Sequence, residues 1–592
     1  MRLSEMKDSR RIFRSWMLYL SVALLFFSCN RNNEIVKEIT PAPTIELDSD
    51  DGVYVVKMGK EVVISPTYKN VEHALYKWLY EGTTISEQPE LRYLFEEPGT
   101  YYVTLRVVAN EKYAEEEVRV EVVDLAPPAI SLVVPPSVVA GREYTLSPDV
   151  QNDEGATFLW LINGEKRGEG RKLLFKETAV GTYEVTLVVE NEDGKSEKTV
   201  VIEVLEELPI SVVIPSSLYF HDDQTKYVAI GRTLFVRAYA SAGEELTYQW
   251  SVDGKEVSGA NGLTFDFTPE EVGEYTLSLT ARYEAPSRAL TRNISETGSQ
   301  EVVLELPVVC IEAAPKRDFK EGSSRHSTKV YEYLPAPGQY VNNILSGFRG
   351  ERTHEAACAY AEARLEANSY VSLGGWGGYI VVGFDHSIEN KGGYDFSIEG
   401  NAFDSSSEPG IVWVMQDVNG NALPDDEWYQ LRGSEYDGDQ TLQDYAVTYH
   451  RVAPGMPTPW VDNKGARGTI DRTVGQHAYY PLWMPEESYT LYGTRLEART
   501  IYDTADGVWK NLPFGWGYVD NYGDDLPSRG NENADPVANR FKISDAVNMD
   551  GSPANLTHID FIKVQTGVNS KADGDVGELS TEVFGFLDLN NR

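Results

Sequence analysis

The sequence is poor in cysteine, in positive charge and in long apolar runs. Only three cysteines occur in 592 residues. That excludes a scaffold held by many disulfides, and the absence of any C-x-x-C pair or Cys/His run gives no sign of a structural zinc module. Lys and Arg number 53 against 92 Asp and Glu, for a formal net charge of -39. A surface that binds nucleic acid must neutralise phosphates with cations, so this balance argues against DNA or RNA as a partner, and against electrostatic docking on an anionic membrane. No P-loop, dinucleotide fingerprint or nucleophile elbow is present. The numerous acidic residues single out no pair of glycosidase-like carboxylates. In the strand-like "VGFDHSIEN", Asp385 and His386 are expected to face opposite ways, as neighbours on a strand do. "HEAAC" lacks the second His of a zincin. The chain is therefore read as a non-enzyme.

One short apolar run does occur, at residues 17–28 ("MLYLSVALLFFS"), behind the basic "MKDSRRIFRSW" and just before Cys29. It is short for a permanent membrane span. The segment resembles a bacterial lipoprotein signal peptide, with Phe26 where Leu is usual, and implies lipidation at Cys29 and attachment to a membrane through that lipid alone. The expected location is the outer membrane, facing outward, although "NRNNEIVKEI" lacks the acidic run that often follows the lipidated Cys of surface-exported lipoproteins. The other cysteines, Cys310 and Cys358, either form a disulfide or remain as buried thiols.

What the sequence has in quantity is Gly, Tyr and other aromatics (49 Gly, 35 Tyr, 11% aromatic), a composition suited to an all-β, turn-rich chain. A frame recurs three times. A strand-borne Trp (Trp78, Trp160, Trp250) is followed by a Gly-x-Tyr turn at Gly99, Gly181 and Gly273, leading into an alternating strand. The repeat length suits a small β-sandwich. Pro-containing joints, "LAPPAI" and "EELPIS", separate the units. The expected organisation is a signal at 1–29, a linker at 30–40, sandwiches at 41–125, 126–207 and 208–310, and a larger jelly-roll-like sandwich at 311–592. One helix is expected at "THEAACAYAEARLEAN". The three repeats resemble PKD-type immunoglobulin-like modules of bacterial surface proteins, whose usual role is spacing.

The last domain carries two features of interest. In "MQDVNGNALPDDEWYQL", oxygen-bearing side chains alternate between strand-like flanks. Asp417, Asn419 and Asn421, the backbone of Leu423, Asp425, and Asp426 or Glu427 form a set of hard oxygen donors suited to calcium. Trp428 stands where an EF-hand has its closing Glu, and Gly420 comes early. The same text also reads as a plain polar hairpin. Carboxylates at Asp404, Glu408, Asp573, Asp575 and Glu578 read either as a second ligand set or as solvated loops. The second feature is loop tryptophan. Trp376 ("GGWGGY"), Trp460 ("PTPWVDN"), Trp483 ("YYPLWMP") and Trp516 ("PFGWGY") are candidates to stack on a ligand, whereas Trp413 and Trp428, in strands, are expected to fill the core.

Long stretches here, "SLGGWGGYIVVGFDHSIEN" and "GGYDFSIEGNAFDSSSEPGIVWVMQDVNGNALPDDEWYQLRGSEY" among them, resemble a family of surface lipoproteins of gut Bacteroidetes with PKD-like domains. The resemblance implies capture of a bulky nutrient, foremost a corrinoid (vitamin B12), for a TonB-dependent outer-membrane transporter. Two other readings stand beside it: a glycan-binding lipoprotein of a polysaccharide-utilisation system, and an adhesin-like structural protein.

Overall fold

Alternating strands separated by tight turns fold here into sandwiches. The structure is a computed structural model that describes residues 41–591, apart from 50, 207–209, 222–224, 241–245, 284–299, 474, 476, 528–536 and 573–576. Cys29, Asp573 and Asp575 thus lie outside the described residues. One compact unit ends at Leu125 and a second begins at Ala126.

In the first sandwich the strand Gly99–Ala109 buries Val103, Leu105 and Val107 and turns the intervening side chains outward. It pairs with Lys112–Val123 through a two-residue turn in which Asn110 and Glu111 both have positive φ, matching the twist of the hairpin. Leu75–Tyr80 and Thr83–Ser86 extend this sheet on one side, and Val53–Lys57 adds in parallel on the other. Short pairs such as Val62–Ile64 with Leu91–Tyr93 make the facing layer. The second and third sandwiches repeat the five-stranded order, each with its own parallel edge strand.

The recurring residues have recurring jobs. Trp78, Trp160 and Trp250 fill the space between layers, and each indole N–H donates to a backbone carbonyl, that of Gln88 (3.0 Å), Gly170 (2.9 Å) or Gly262 (2.9 Å). The Tyr of each Gly-x-Tyr turn donates its hydroxyl to the carbonyl four residues upstream: Tyr101 to Glu97, Tyr183 to Ala179, Tyr275 to Glu271. This is a tyrosine corner, a feature of immunoglobulin-like sandwiches.

The last domain is built on a six-stranded sheet in the order Lys329–Leu334, Tyr379–Glu389, His558–Thr566, Gly410–Met415, Trp428–Leu431, Ala546–Val547. One face packs Ile380, Val382, Val412, Val414 and Ile562 against Phe396, Ile398 and Phe586 of a three-stranded sheet and against Ala357 and Ala361 of the helix His354–Glu366. Thr353 caps that helix by accepting from Ala356 N–H at 3.2 Å. The opposite face meets a four-stranded sheet through Tyr445, Val447, Tyr449, Tyr489 and Leu491. Among the described residues no helix is long and apolar enough to cross a membrane.

One open alternative is decided, for the buried thiols, and one expectation needs correction. Cys310 and Cys358 are both free and buried. Cys310 packs in the core of the third sandwich with Trp250, and Cys358 in the helix-backed core of the last domain, so each thiol is walled into a different core. Asp385 and His386 do not point apart. The pairing of their strand shifts register between Gly383 and Ile388, which breaks the alternation. His386 Nδ1 lies 2.8 Å from Asp385 and Nε2 lies 3.0 Å from Asp588. This buried imidazole ties the strand Gly585–Asp588 to the sheet.

Candidate functional site

Alternation along the six-stranded sheet sends every second side chain away from the helix-backed core. Tyr379, Trp413, Trp428 and Lys563 emerge together on the other face. A loop of the third sandwich, running through Leu218 to His221, comes down beside them. Leu218 joins the tyrosine-rich core of the last domain. Tyr219 N–H donates to Glu332 at 2.7 Å, Phe235 N–H donates to Glu427 at 3.2 Å, and the Tyr239 and Tyr492 rings meet at 4.8 Å. The third sandwich is therefore docked on the last domain through buried polar and aromatic contacts.

A cleft of about 480 Å³ remains between them, within the ordinary range for small-molecule sites. Its walls are aromatic, and Lys226, Arg237 and Lys563 line it together with Asp426 and Glu427. The Lys563 ammonium lies 5.1 Å from the Tyr379 ring centre, 5.6 Å from Trp413 and 5.5 Å from Trp428. Arg237 and Lys226 come from the third sandwich. The indole nitrogens of Trp413 and Trp428 are shielded from solvent and have no hydrogen-bond partner among the described residues. A buried N–H left without an acceptor is costly, and a ligand's acceptors would relieve that cost once the rings turn their N–H groups toward the cleft.

The tryptophans thus take roles opposite to those expected. Trp376 is 1% exposed, donates to the Thr494 carbonyl at 3.2 Å and meets Tyr445 edge-on. Its flanking glycines serve close chain packing: a Cβ at Gly374 would lie 2.0 Å from the Ala336 carbonyl oxygen, and one at Gly378 1.9 Å from that of Leu373. Trp483 is 4% exposed and donates to the Tyr333 carbonyl. Trp460 sits on the strand Thr458–Asp462, half-buried over Gly468. Of the four loop candidates, Trp516 alone is well exposed, at 39%. Neither Trp376, Trp460, Trp483 nor Trp516 lines the cleft. Trp413 and Trp428, assigned to the core from their strands, do.

The oxygen-rich loop is closed on itself. The amides of Asn419 and Asn421 donate to the two oxygens of Asp425 at 3.1 and 2.8 Å. The Asn421 side-chain oxygen accepts from Leu423 N–H. Asp417 accepts from Ala422 N–H, and Asp426 from Val418 N–H at 2.7 Å. Yet the second oxygen of Asp417 (7% exposed) and that of Asp426 (1% exposed) have no partner among the described residues. Burial pushes Asp426 up to about 8, and the charges of Asp425 and Asp417 push the same way. Buried, unsatisfied carboxylate oxygens are the donor type a hard cation takes, but among the described residues Asp417, Asp425 and Asp426 do not form a group of three whose oxygens lie within 4.8 Å of one another. Glu427 does not join them, because its carboxyl accepts from Phe235 N–H and Tyr429 at the domain contact.

Two further clusters were hidden in the sequence. Glu408, read from the sequence as either part of a second ligand set or of a solvated loop, meets Asp520 and Glu582, their oxygens within 4.8 Å of one another. Burial holds Glu408 and Asp520 well above the usual carboxylate range and Glu582 at about 7. Glu578 is buried as well, and burial pushes it to about 8, whereas Asp404 is exposed. The second cluster joins His221, Glu332 and His354, from three segments far apart in the chain. No local spacing could have announced either group.

Residues 42–109 and 127–191 match the family described as a PKD-like domain. No curated protein matches the chain. Among solved structures, three N-terminal domains of the bacteriophage RB49 Highly Immunogenic Outer Capsid protein are 13% identical, covering 46% of this chain and 100% of that one, with a TM-score of 0.21. A three-Ig fragment of titin is 13% identical over 46% and 99%, with a TM-score of 0.20. Extracellular domains 3–5 of Drosophila OTK are 14% identical over 44% and 94%, with a TM-score of 0.15. The chain is thus an all-β protein with tandem PKD-like, immunoglobulin-like sandwiches.

Proposed function

We propose that this is an outer-membrane lipoprotein, anchored through Cys29 and facing outward, that captures a ring-bearing ligand in the cleft between the third sandwich and the last domain. The observation that carries this reading is the pair of partnerless indole N–H groups, Trp413 and Trp428, beside the Lys563 ammonium. Such a wall suits a ligand with a flat or ring-shaped apolar part, hydrogen-bond acceptors and a negative group. A corrinoid has all three. The sandwiches then act as a spacer, and a TonB-dependent transporter receives the ligand. No catalytic step is proposed.

The volume favours a second reading. A cleft of about 480 Å³ takes one edge of a corrinoid but encloses a short glycan. The test is to pass the whole chain, without its leader, over a sizing column with cobalamin or with short acidic oligosaccharides. Cobalamin absorbance on the protein peak, lost in Trp428→Phe, supports the first ligand. Retention of the oligosaccharide alone supports the second. Retention of neither removes the capture reading and leaves an adhesin-like spacer.

We propose further that the Asp417–Asp426 loop binds calcium as a structural ion. Asp417 and Asp426 supply the buried oxygens, and Asn419, Asn421 and Asp425 exchange their mutual hydrogen bonds for the ion.

A further inference from the structure

We propose that His221, Glu332 and His354 form a binding site for a zinc-type transition-metal ion, which fastens the third sandwich to the last domain. His221 lies on the docking loop of the sandwich, Glu332 on the strand Lys329–Leu334, and His354 opens the helix His354–Glu366. Each offers one donor atom, and the three atoms lie within 4.8 Å of one another. Two imidazoles and a carboxylate are the donor set of many zinc sites that keep a fourth position open. Tetrahedral bonds of zinc length separate their donor atoms by about 3.3–3.8 Å. His221 Nε2 and the Glu332 carboxylate are 4.0 Å apart, so little closing is needed.

A second observation points to a cation. The Glu332 side chain is fully buried, and the basic groups gathered on it are the imidazoles of His221, 4.0 Å away, and His354. An ionised carboxylate in such a place requires a counter-charge. The surroundings already orient it. Tyr219 N–H and the Tyr379 hydroxyl donate to one oxygen, and Phe220 N–H reaches the other at 3.4 Å, the kind of outer contact that holds a metal ligand in place. The His354 ring is fixed by stacking on Phe220 at 4.4 Å. His221 Nε2 lies 3.1 Å from the Tyr331 carbonyl. On binding, the imidazole proton moves to Nδ1 or is released, and Nε2 turns its lone pair to the ion.

Cys358 follows His354 by one helical turn, with its sulfur 3.7 Å from the ring nitrogens of His354. It stands outside the three donors that lie within 4.8 Å of one another, so it completes the shell only if its side chain turns toward the ion and its proton leaves as the metal binds; otherwise water does. The site also touches the cleft, because Tyr219 and Tyr379, which bond Glu332, both line it. The inference does not depend on the capture reading.

The test uses the whole chain without its leader, stripped with chelator and titrated with Co2+ and then Zn2+. One tight Co2+ per chain is expected, with the visible bands of a tetrahedral ion, displaced by Zn2+. Outer contacts to a metal contribute about 10–100-fold in affinity, so loss of a direct ligand in His221→Gln must weaken binding at least that much. His221 is partly exposed, so this variant should fold, and an unchanged melting profile without metal verifies it. Should it not fold, His354→Gln takes its place. Asp417→Asn, in the calcium loop, should leave cobalt binding intact. Cys358→Ser reports the fourth position: loss of a near-ultraviolet sulfur-to-cobalt band with binding retained means Cys358 ligates, and no such band in the parent means water completes the His₂Glu site. Absence of tight binding, octahedral spectra, or equal affinity in His221→Gln and His354→Gln would overturn the proposal.

Discussion

The three sandwiches and the last domain use tryptophan in opposite ways. In each sandwich one Trp is sealed between layers with its N–H given to a backbone carbonyl. In the last domain Trp413 and Trp428 stand at a cleft with their N–H groups unmet. The first arrangement leaves nothing for a ligand to satisfy, and the second does. The same contrast extends to charge. Ion pairs of the sandwiches, such as Arg106 with Glu115 and Arg282 with Glu301, are exposed, whereas the last domain buries Glu332, Glu578, Glu582 and Asp520. Burying carboxylates costs stability even where hydrogen bonds offset part of the cost, and the proposed metal site is built on one of them, Glu332.

The largest effect that would test the contrast is on the sealed tryptophans. Trp78→Ala should cost the first sandwich about 3–5 kcal/mol, the usual range for removing a core aromatic. Chemical denaturation followed by fluorescence measures it, and ligand retention should be unchanged. Trp428→Ala should do the reverse, with a small loss of stability and loss of retention. Equal losses of stability from the two substitutions would erase the distinction.

Next comes calcium. An ion that binds only the folded loop stabilises it by RT ln(1 + [L]/Kd), about 2.7 kcal/mol at a hundredfold excess over Kd. In protein already stripped of transition metal, withdrawal of calcium should therefore lower the melting temperature of the last domain and spare the first sandwich. Asp426→Asn should abolish that response. Identical melting with calcium and with chelator would leave the loop a polar hairpin held by its own amides.

These expectations show what the sequence could and could not disclose. The sandwiches were legible because their determinants are local and repeated: a Trp, a Gly-x-Tyr corner and an alternating strand within one module. The helix over residues 354–366 was legible for the same reason. The cleft was not. Whether a strand Trp faces a core or a gap depends on which sheet covers it, and here the cover on one face comes from a different module. The glycines around Trp376 were compatible with an exposed indole or with close passage of the backbone, and the second holds: the chain presses against Ala336 and Leu373 and the indole turns inward. The metal-type cluster joins His221 to two residues more than a hundred positions further on, so no local spacing could reveal it.

Acidity provides a smaller effect of opposite sign in the two regions. Burial raises Glu582 to about 7 and Glu578 to about 8 from 4.5, so the folded last domain holds more protons than the unfolded chain through that window. Their stabilising share is whole below about 4.5 and is lost as pH rises through 7 and 8. In the first sandwich, burial of Asp48 works to raise its pKa, but hydrogen bonds from Tyr54 and Ser65 N–H outweigh it and lower the pKa. That share is present above the unfolded value of 3.8 and lost only as pH falls below it. Calorimetry between pH 5 and 8 should show the last domain losing about 1–2 kcal/mol, since proton sharing between Glu408 and Glu582 blunts the full shift. The first sandwich should not change. Glu578→Gln should flatten the slope, and an unchanged slope would assign it elsewhere.

The smallest expected effect is none. A disulfide between Cys310 and Cys358 would link the third sandwich covalently to the last domain, and its reduction would cost about 2–4 kcal/mol, with the gain in loop entropy of the unfolded chain as one accepted cause. The two sulfurs instead belong to different cores, and burial pushes the Cys358 thiol up to about 12 and raises that of Cys310. An un-ionised, enclosed thiol neither exchanges nor oxidises readily. Metal-free protein without its leader should melt identically with and without reductant. A thiol reagent should label almost nothing in the native state and two cysteines per chain after denaturation, before any reductant is added. A mobility shift on reduction, or fewer than two thiols in the denatured and unreduced chain, would restore the bridge and make the docking of the two regions covalent.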